Sequence, residues 1–157
     1  MMLKNPSVFL VLAVIFTLSF LNSTLTAATF QDDYDNAYEQ FSKLGRTDPD
    51  QLKQIAGTFR KLSERSDAGK LKANAIYWEG QSLFMIGEYL QALQAFERVL
   101  VNQNSFKEQD ARFKVVQCQI RLKWRKSGKW ELDRFVRDFP QSKLINVLKN
   151  ELRRIEK

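Results

Sequence analysis

Apolar residues recur every three or four positions over almost the whole chain from residue 30 onward, and no segment shows the strict alternation of a strand. This spacing is typical of amphipathic α-helices. The predicted helices span Phe30–Leu44, Asp48–Ser66, Asp67–Ile86, Tyr89–Val101, Phe106–Trp124, Lys129–Phe139 and Ser142–Ile155. The sequence therefore predicts an all-α fold.

Turn and capping residues separate these predicted helices. Gly45 suits the end of the first helix, because glycine tolerates left-handed backbone geometry. The run Asp48–Gln51 places an N-cap, a first-turn proline and a capping-box residue at the start of the second helix. Gly87 supplies a turn, Ser127–Gly128 predicts a break before the sixth helix, and Pro140 limits that helix.

The stretch from residue 73 to residue 100, ANAIYWEGQSLFMIGEYLQALQAFERVL, predicts two helices joined by a tight turn. Small residues stand where the helices would touch, at Gly80 and Ala92. Aromatic residues that can fill the space between them are Tyr77, Tyr89 and Phe96. A single helical hairpin cannot bury both of its apolar faces, so stacked neighbours are needed. The pattern favours a repeat protein and a binding function over catalysis.

The same stretch resembles the tetratricopeptide repeat (TPR). With Ala73 as the first repeat position, the matching residues are Gly80 at the small eighth position, Gly87 at the turn, Ala92 at the small twentieth position and Phe96 at the aromatic twenty-fourth. The departures are Ile76, Glu79 and Asn104, where the family has Trp, Leu and Pro. The resemblance implies a short α-solenoid of about three hairpins plus a C-terminal capping helix with a polar outer face.

A wider resemblance joins this repeat to the segment FVRDFPQS at residues 135–142 and to the N-terminal segment. Residues 70–152 resemble the C-terminal repeat domain of the periplasmic Tol-Pal coordinator family and the repeat module of outer-membrane assembly lipoproteins. The N-terminal coiled coil and the lipidation Cys of those relatives are missing from this sequence. When the third hairpin is aligned with the second, about four extra residues are expected near Trp124–Ser127.

Residues 1–28 differ in composition from the rest. Lys4 is their only charged residue, the run Val8–Leu21 is apolar apart from Thr17 and Ser19, and small residues follow at Thr26–Ala28. This pattern predicts a secretory signal peptide cleaved after Ala28, which leaves one helical domain at residues 29–157. The apolar run is shorter than the roughly 20 residues that span a bilayer. We therefore expect a periplasmic or secreted protein without a stable membrane span; the alternative is an uncleaved N-terminal anchor.

Composition excludes several classes of active site. The chain has no His, which excludes Ser-His-Asp and Cys-His catalysis and the usual imidazole ligands of zinc. Its six glycines are scattered singly, so no glycine-rich phosphate loop is present. Cys118 is the only Cys, which excludes an intramolecular disulfide, and its apolar surroundings predict burial. We expect no enzymatic activity, no metal and no cofactor.

Charge is unevenly distributed along the chain. Residues 29–106 hold 9 Lys and Arg against 11 Asp and Glu, whereas residues 107–157 hold 15 against 7. The basic Trp patch consists of Arg121, Lys123, Trp124, Arg125, Lys126, Lys129 and Trp130. It could bind an acidic protein segment or an anionic envelope polymer or lipid. It also suits nucleic acid, which an exported protein seldom meets, or it is simply a solvated basic face.

The TPR resemblance also implies a groove formed by the first helix of each hairpin. The predicted groove residues are Asn74, Tyr77, Gln81 and Phe84 in the second hairpin, and Asp110, Phe113, Gln117 and Ile120 in the third. A groove that mixes amides with aromatic rings could hold a peptide. Aromatic residues at helical spacing are also typical of a core, so the alternative is that Phe84 and Phe113 pack between repeats.

These observations together predict an exported scaffold or adaptor of the cell envelope. Its partner would be another envelope protein or a peptide segment, bound through the predicted groove or the basic Trp patch. The alternative is an accessory factor that binds peptidoglycan or another anionic envelope polymer. We expect no nucleic acid partner, and the oligomeric state is left open.

Overall fold

The computed structural model describes residues 29–44, 48–101 and 106–155. The predicted signal peptide with its cleavage site, Gly45 and the loop at 102–105 lie outside these ranges. The helices are α1 (Phe30–Leu44), α2 (Pro49–Glu64), α3 (Lys72–Met85), α4 (Tyr89–Val101), α5 (Glu108–Arg121), α6 (Arg125–Asp138) and α7 (Leu144–Ile155). A short 3-10 helix, Gly69–Leu71, leads into α3. Strands are absent from the described ranges, and the all-α prediction is confirmed.

The start of α2 shows how local sequence sets a helix boundary. The backbone N–H of Gln51 donates to Oδ1 of Asp48 over 2.9 Å, and the Gln51 side chain donates to Asp48 Oδ2 over 2.6 Å. Pro49 occupies the first turn, where its missing N–H costs nothing. The predicted N-terminus of this helix is therefore confirmed together with its capping residues.

Each helix packs against the next along the chain, and two contacts skip a helix: α1 touches α3, and α5 touches α7. The chain thus forms three successive hairpins, α1–α2, α3–α4 and α5–α6, and α7 covers the third. Each of three apolar cores combines one hairpin with the first helix of the next element. Such shared cores are what stacked, repeat-like hairpins require, because no hairpin is complete alone.

Gly80 lies at the closest contact within the second hairpin. A Cβ atom at this position would stand 2.8 Å from the ring of Phe96, which is fully buried. This confirms the prediction that a small residue lets α3 and α4 touch. In α1, α2 and α7 the buried apolar residues recur at helical spacing; they are Phe30, Tyr34, Ala37, Leu52, Ile55, Ala56, Phe59, Leu62, Leu148 and Leu152.

The turns of the second and third hairpins have the same geometry. Gly87 and Lys123, 36 residues apart, both adopt a positive φ, of 86° and 60°. In both turns the next N–H donates to the carbonyl five residues back, from Glu88 to Leu83 over 3.0 Å and from Trp124 to Gln119 over 2.9 Å. These are the hydrogen bonds of a left-handed helix C-cap.

The predicted break at Ser127–Gly128 is wrong, because both residues lie inside α6. The chain turns earlier, at Lys123, so α5 ends at Arg121 and not at Trp124. Gly128 is buried at the contact between α5 and α6, and a Cβ there would meet Ile120 at 3.7 Å, so the contact has room for a methyl group. The four extra residues expected near Trp124 are absent too. Three residues connect the two helices of the third hairpin, as in the second hairpin.

Candidate partner-binding surfaces

The predicted groove residues of α3 lie mainly inside the protein. Tyr77 and Phe84 are buried, whereas Asn74 and Gln81 are half-buried. The Tyr77 ring lies 5.5 Å from that of Phe96, and the Phe84 ring lies 5.3 Å from that of Tyr89. The two aromatic rings therefore contribute to packing within the second hairpin.

The predicted groove residues of α5 are covered in part by α7. Gln117 and Ile120 are buried, and Phe113 and Asp110 are half-buried. The Gln117 side chain donates to Oε1 of Glu151 on α7 over 2.9 Å. Ile120 belongs to the core of the third hairpin. This part of the predicted groove thus holds the last helix in place.

Lysine side chains lie over the aromatic rings of the predicted groove. Lys107 Nζ stands 4.9 Å from the centroid of Tyr77, and Lys114 Nζ stands 4.5 Å from that of Phe84. Such contacts stabilise the cation over the ring face. Burial, together with the negative charge of Asp110, raises the pKa of Tyr77 to about 12. The rings are thereby less open to a peptide than their spacing in the sequence suggests.

The basic Trp patch is exposed at every one of its seven residues. Arg121 ends α5, Lys123 and Trp124 form the turn, and the other members lie in the first turns of α6. The exposed fractions of Trp124 and Trp130 are 45% and 59%, which is high for residues of this size. No ion pair joins the five cations of the patch to any carboxylate of the described ranges.

The start of α6 lacks the features that stabilised the start of α2. Trp124 is its N-cap residue and provides no side-chain hydrogen bond, and no acidic residue lies in the first turn. Arg125 and Lys126 place positive charge at the positive end of the helix dipole, which is unfavourable. Lys123 adds a left-handed conformation that a non-glycine residue rarely adopts. The patch therefore concentrates residues that do not favour the local fold.

One face of Trp130 is occupied by a neighbouring side chain. The guanidinium carbon of Arg134 lies 4.7 Å from the Trp130 ring centroid, and Arg134 also pairs with Glu131 over 3.4 Å. This contact favours one orientation of the ring on the surface of α6 and leaves its other face open to a partner.

A second surface, which the sequence did not predict, lies between α2 and α4. A trough of about 620 Å³ separates these two helices, and α3 forms its floor. We call it the α2–α4 trough; the residues used below are Lys53 and Gly57 of α2, Glu79 and Leu83 of α3, and Gln94 and Glu97 of α4. Its only hint in the sequence is Gly57, a glycine in the middle of a predicted helix.

The floor of the trough is held by an ion pair between a buried carboxylate and a half-exposed guanidinium. Glu79 is buried, and both of its carboxylate oxygens accept from Arg98 of α4, over 2.9 and 3.1 Å. Arg98 also donates to the hydroxyl of Ser63 on α2 over 3.4 Å. A bidentate pair of this kind is geometrically specific. It ties α2, α3 and α4 together, and the Arg98 side chain separates the trough from a smaller depression of about 420 Å³ beside Lys72 and Ile76.

Opposite charges stand on the two walls of the trough. Lys53 on α2 and Glu97 on α4 both line it, and neither forms an ion pair within the described ranges. Partial burial, together with the charge of Glu131, raises the pKa of Glu97. A bound segment could therefore place an acidic side chain towards α2 and a basic one towards α4.

Comparison with known proteins adds no relative. No family model matches the chain, and no curated protein is similar to it. None of the helices in residues 29–44, 48–101 and 106–155 has the length and apolar character needed to cross a bilayer.

Proposed function

We propose that the protein is an exported, non-catalytic scaffold with TPR-like hairpins, and that it holds a segment of another envelope protein in the α2–α4 trough. Three stacked hairpins with shared cores support the scaffold. The signal-peptide pattern of residues 1–28 supports export, and the absence of His supports a role other than catalysis.

The observation that carries this proposal is the environment of Gly57. Glycine inside a helix destabilises it by roughly 0.5–1 kcal/mol relative to alanine. A Cβ atom at Gly57 would meet no atom within 4 Å, whereas Gly80 is required by the contact with Phe96. Packing inside the chain therefore gives no reason for Gly57. Close approach of a partner's backbone along the trough would explain a glycine at this position.

The lining of the trough suits an amphipathic peptide helix. Its floor at Leu83 is apolar, Gly57 leaves room for a close approach, and the amide of Gln94 can both donate and accept hydrogen bonds. A helix bound in a groove buries one face and keeps the other in water. With Lys53 and Glu97 on opposite walls, we expect an acidic residue on one flank of that helix and a basic residue on the other.

A matched pair of substitutions at Gly57 tests the proposal. Gly57→Ala adds one methyl group at the point of close approach, whereas Gly57→Trp places a bulky ring system in the trough. A Cβ atom at Gly57 stands in open space, so Gly57→Ala should fold, and folding of both variants is checked by circular dichroism. A photo-crosslinking amino acid at Gln94 would be introduced in each variant, in cells that produce the protein. A second crosslinker at Asn150, on the exposed face of α7, serves as the control position.

The expected result is one discrete adduct from Gln94 that weakens with Gly57→Ala and disappears with Gly57→Trp. No such adduct should form from Asn150. An adduct that survives Gly57→Trp would place the partner elsewhere and overturn the proposal. An adduct that forms equally well with glycine and with alanine at position 57 would also contradict it, since a closely approaching backbone leaves no room for the added methyl group.

A further inference from the structure

We infer that the basic Trp patch docks the protein on the surface of an anionic lipid bilayer. This surface is separate from the α2–α4 trough, and the inference does not depend on the proposed function. The patch lies on the end of α5, the turn and the start of α6, whereas the trough is formed by α2, α3 and α4.

Charge is the first argument. Arg121, Lys123, Arg125, Lys126 and Lys129 are exposed and form no ion pair within the described ranges. A basic residue near an anionic membrane surface strengthens binding roughly fivefold. The five cations follow one another over nine residues of the chain, around a single turn. They can therefore meet one surface together.

The second argument is the chemistry of the two Trp residues. Tryptophan has an apolar ring system and one polar N–H, and it is enriched at the level of lipid headgroups. Trp124 and Trp130 are the exposed Trp residues, at 45% and 59%, while Trp78 donates to Tyr34 over 3.0 Å and packs among other aromatic residues. An acidic peptide would need only the cations, so the exposed rings favour a lipid interface.

The third argument is the conformation of the turn. Lys123 adopts φ 60° where the second hairpin uses Gly87, and its side chain is exposed. A strained residue that the fold does not require is a reason to look for a function. Here the left-handed turn presents Lys123 and Trp124 side by side at the end of the hairpin. The same turn with glycine would lose one of the five cations.

Two charge-matched variants test the inference. The patch variant combines Arg125→Gln, Lys126→Gln and Lys129→Gln. The control combines Lys143→Gln, just before α7, with Lys149→Gln and Arg153→Gln in α7, all at exposed positions. Both lose three positive charges. Each protein is purified from the cells that naturally produce it, in the form in which those cells process it. Its folding is checked by circular dichroism. Binding is measured by co-sedimentation with vesicles of equal parts phosphatidylglycerol and phosphatidylcholine, and with vesicles of phosphatidylcholine alone.

We expect the native protein to bind the anionic vesicles and to be released by salt. The patch variant should bind on the order of 100-fold more weakly, and the control should lose less than about tenfold. Tryptophan fluorescence provides a second measurement. Emission should shift to shorter wavelength on binding, and this shift should be absent in the double variant Trp124→Ala, Trp130→Ala.

Several results would overturn the inference. These are equal losses in the patch variant and the control, equal binding to neutral vesicles, and binding without a change in fluorescence. Soluble polyglutamate or isolated peptidoglycan that binds the native protein as tightly as the vesicles, with no fluorescence shift, would assign the patch to an acidic peptide or an envelope polymer instead.

Discussion

The second and third hairpins have the same turn geometry but are built from different residues. Gly87 and Lys123 occupy equivalent positions, followed by the same pattern of backbone hydrogen bonds. The second hairpin has a neutral glycine at the tip of its turn, and the third has the basic Trp patch. Backbone conformation has thus been kept while the surface chemistry has changed.

The interior of the two hairpins differs in a similar way. In the second, Gly80 of α3 faces the fully buried ring of Phe96. At the positions 36 residues later, Val116 and Leu132 both lie in the third core. The glycine and the large ring are replaced by two side chains of medium size. Both combinations fill the contact between the two helices, as expected when total volume matters more than the identity of either residue.

The largest expected effect comes from adding a methyl group at Gly80. A Cβ at 2.8 Å from the Phe96 ring forces a shift in a fully buried side chain. We expect Gly80→Ala to lower the free energy of unfolding by about 1–3 kcal/mol, and Gly80→Leu to lower it further. The measurement is urea denaturation followed by circular dichroism.

Gly128→Ala in the third hairpin is the matched control for that substitution. Its Cβ would meet Ile120 at 3.7 Å, an ordinary van der Waals distance. Replacing a glycine inside a helix by alanine should therefore raise the free energy of unfolding by about 0.5–1 kcal/mol. If both alanine variants were equally destabilised, the contacts assigned to the two glycines would be wrong.

Exchange of the turn residues gives the next largest effect. A non-glycine residue in the left-handed region is disfavoured by about 1–2 kcal/mol. Lys123→Gly should accordingly stabilise the protein, and Gly87→Ala should destabilise it by a similar amount. Thermal melting of the two variants measures both effects. A stabilised Gly87→Ala variant would show that the turn does not hold the positive φ of 86°.

The helices could be predicted from sequence because their amphipathic pattern is local. The faces of α1, α2 and α7 follow from spacing alone, and Asp48 with Gln51 marks a helix start wherever it occurs. The break at Ser127–Gly128 was predicted from propensity, but packing overrides propensity here. Gly128 lies inside α6 beside Ile120 of α5, and this contact holds it in a helix that its own propensity disfavours.

The candidate surfaces were less predictable, for physical reasons. Aromatic residues at helical spacing are compatible with both a groove and a core, and the structure buries Tyr77 and Phe84. The α2–α4 trough depends on the distance between two helices that are far apart in sequence, so no local pattern encodes it. The basic Trp patch is contiguous in sequence, which is why its residues could be found; its binding role stays a prediction.

Substitution of Cys118 by Ser should have a smaller effect on the free energy of unfolding. Ser82 in the second hairpin and Cys118 in the third occupy equivalent, fully buried positions. Ser82 Oγ donates to the carbonyl of Trp78, one turn back, over 2.8 Å. Cys118→Ser can donate in the same way to the carbonyl of Lys114. We therefore expect a loss of less than about 1 kcal/mol in denaturant unfolding; a loss of 1–3 kcal/mol would mean that the hydroxyl is left without a partner.

The thiol itself provides an independent check on this packing. Burial raises the pKa of Cys118 to about 12. Because the thiolate is the reactive form, a thiol reagent should label the native protein very slowly at neutral pH. Labelling should accelerate when denaturant unfolds the chain. Rapid labelling without denaturant would show that α5 is not packed as described.

The smallest expected effect concerns Glu97 in the second hairpin and Glu131 in the third. Partial burial, and then the charge of Glu131, raises the pKa of Glu97 above its ordinary value. The ionised form is therefore disfavoured in the folded state, and this penalty is present at neutral pH and disappears as pH falls through the raised pKa. Glu97→Gln should stabilise the protein at pH 7 and should cease to do so in acid. When Glu131→Gln is also present, Glu97→Gln should increase the free energy of unfolding by less, because one cause of the pKa shift has been removed.

Urea denaturation at pH 7 and in acid, on the single and double variants, measures this coupling. If the stabilisation by Glu97→Gln did not depend on pH, its cause would be packing in the trough and not charge. If the stabilisation were the same with Glu131→Gln present, the two hairpins would not be electrostatically coupled.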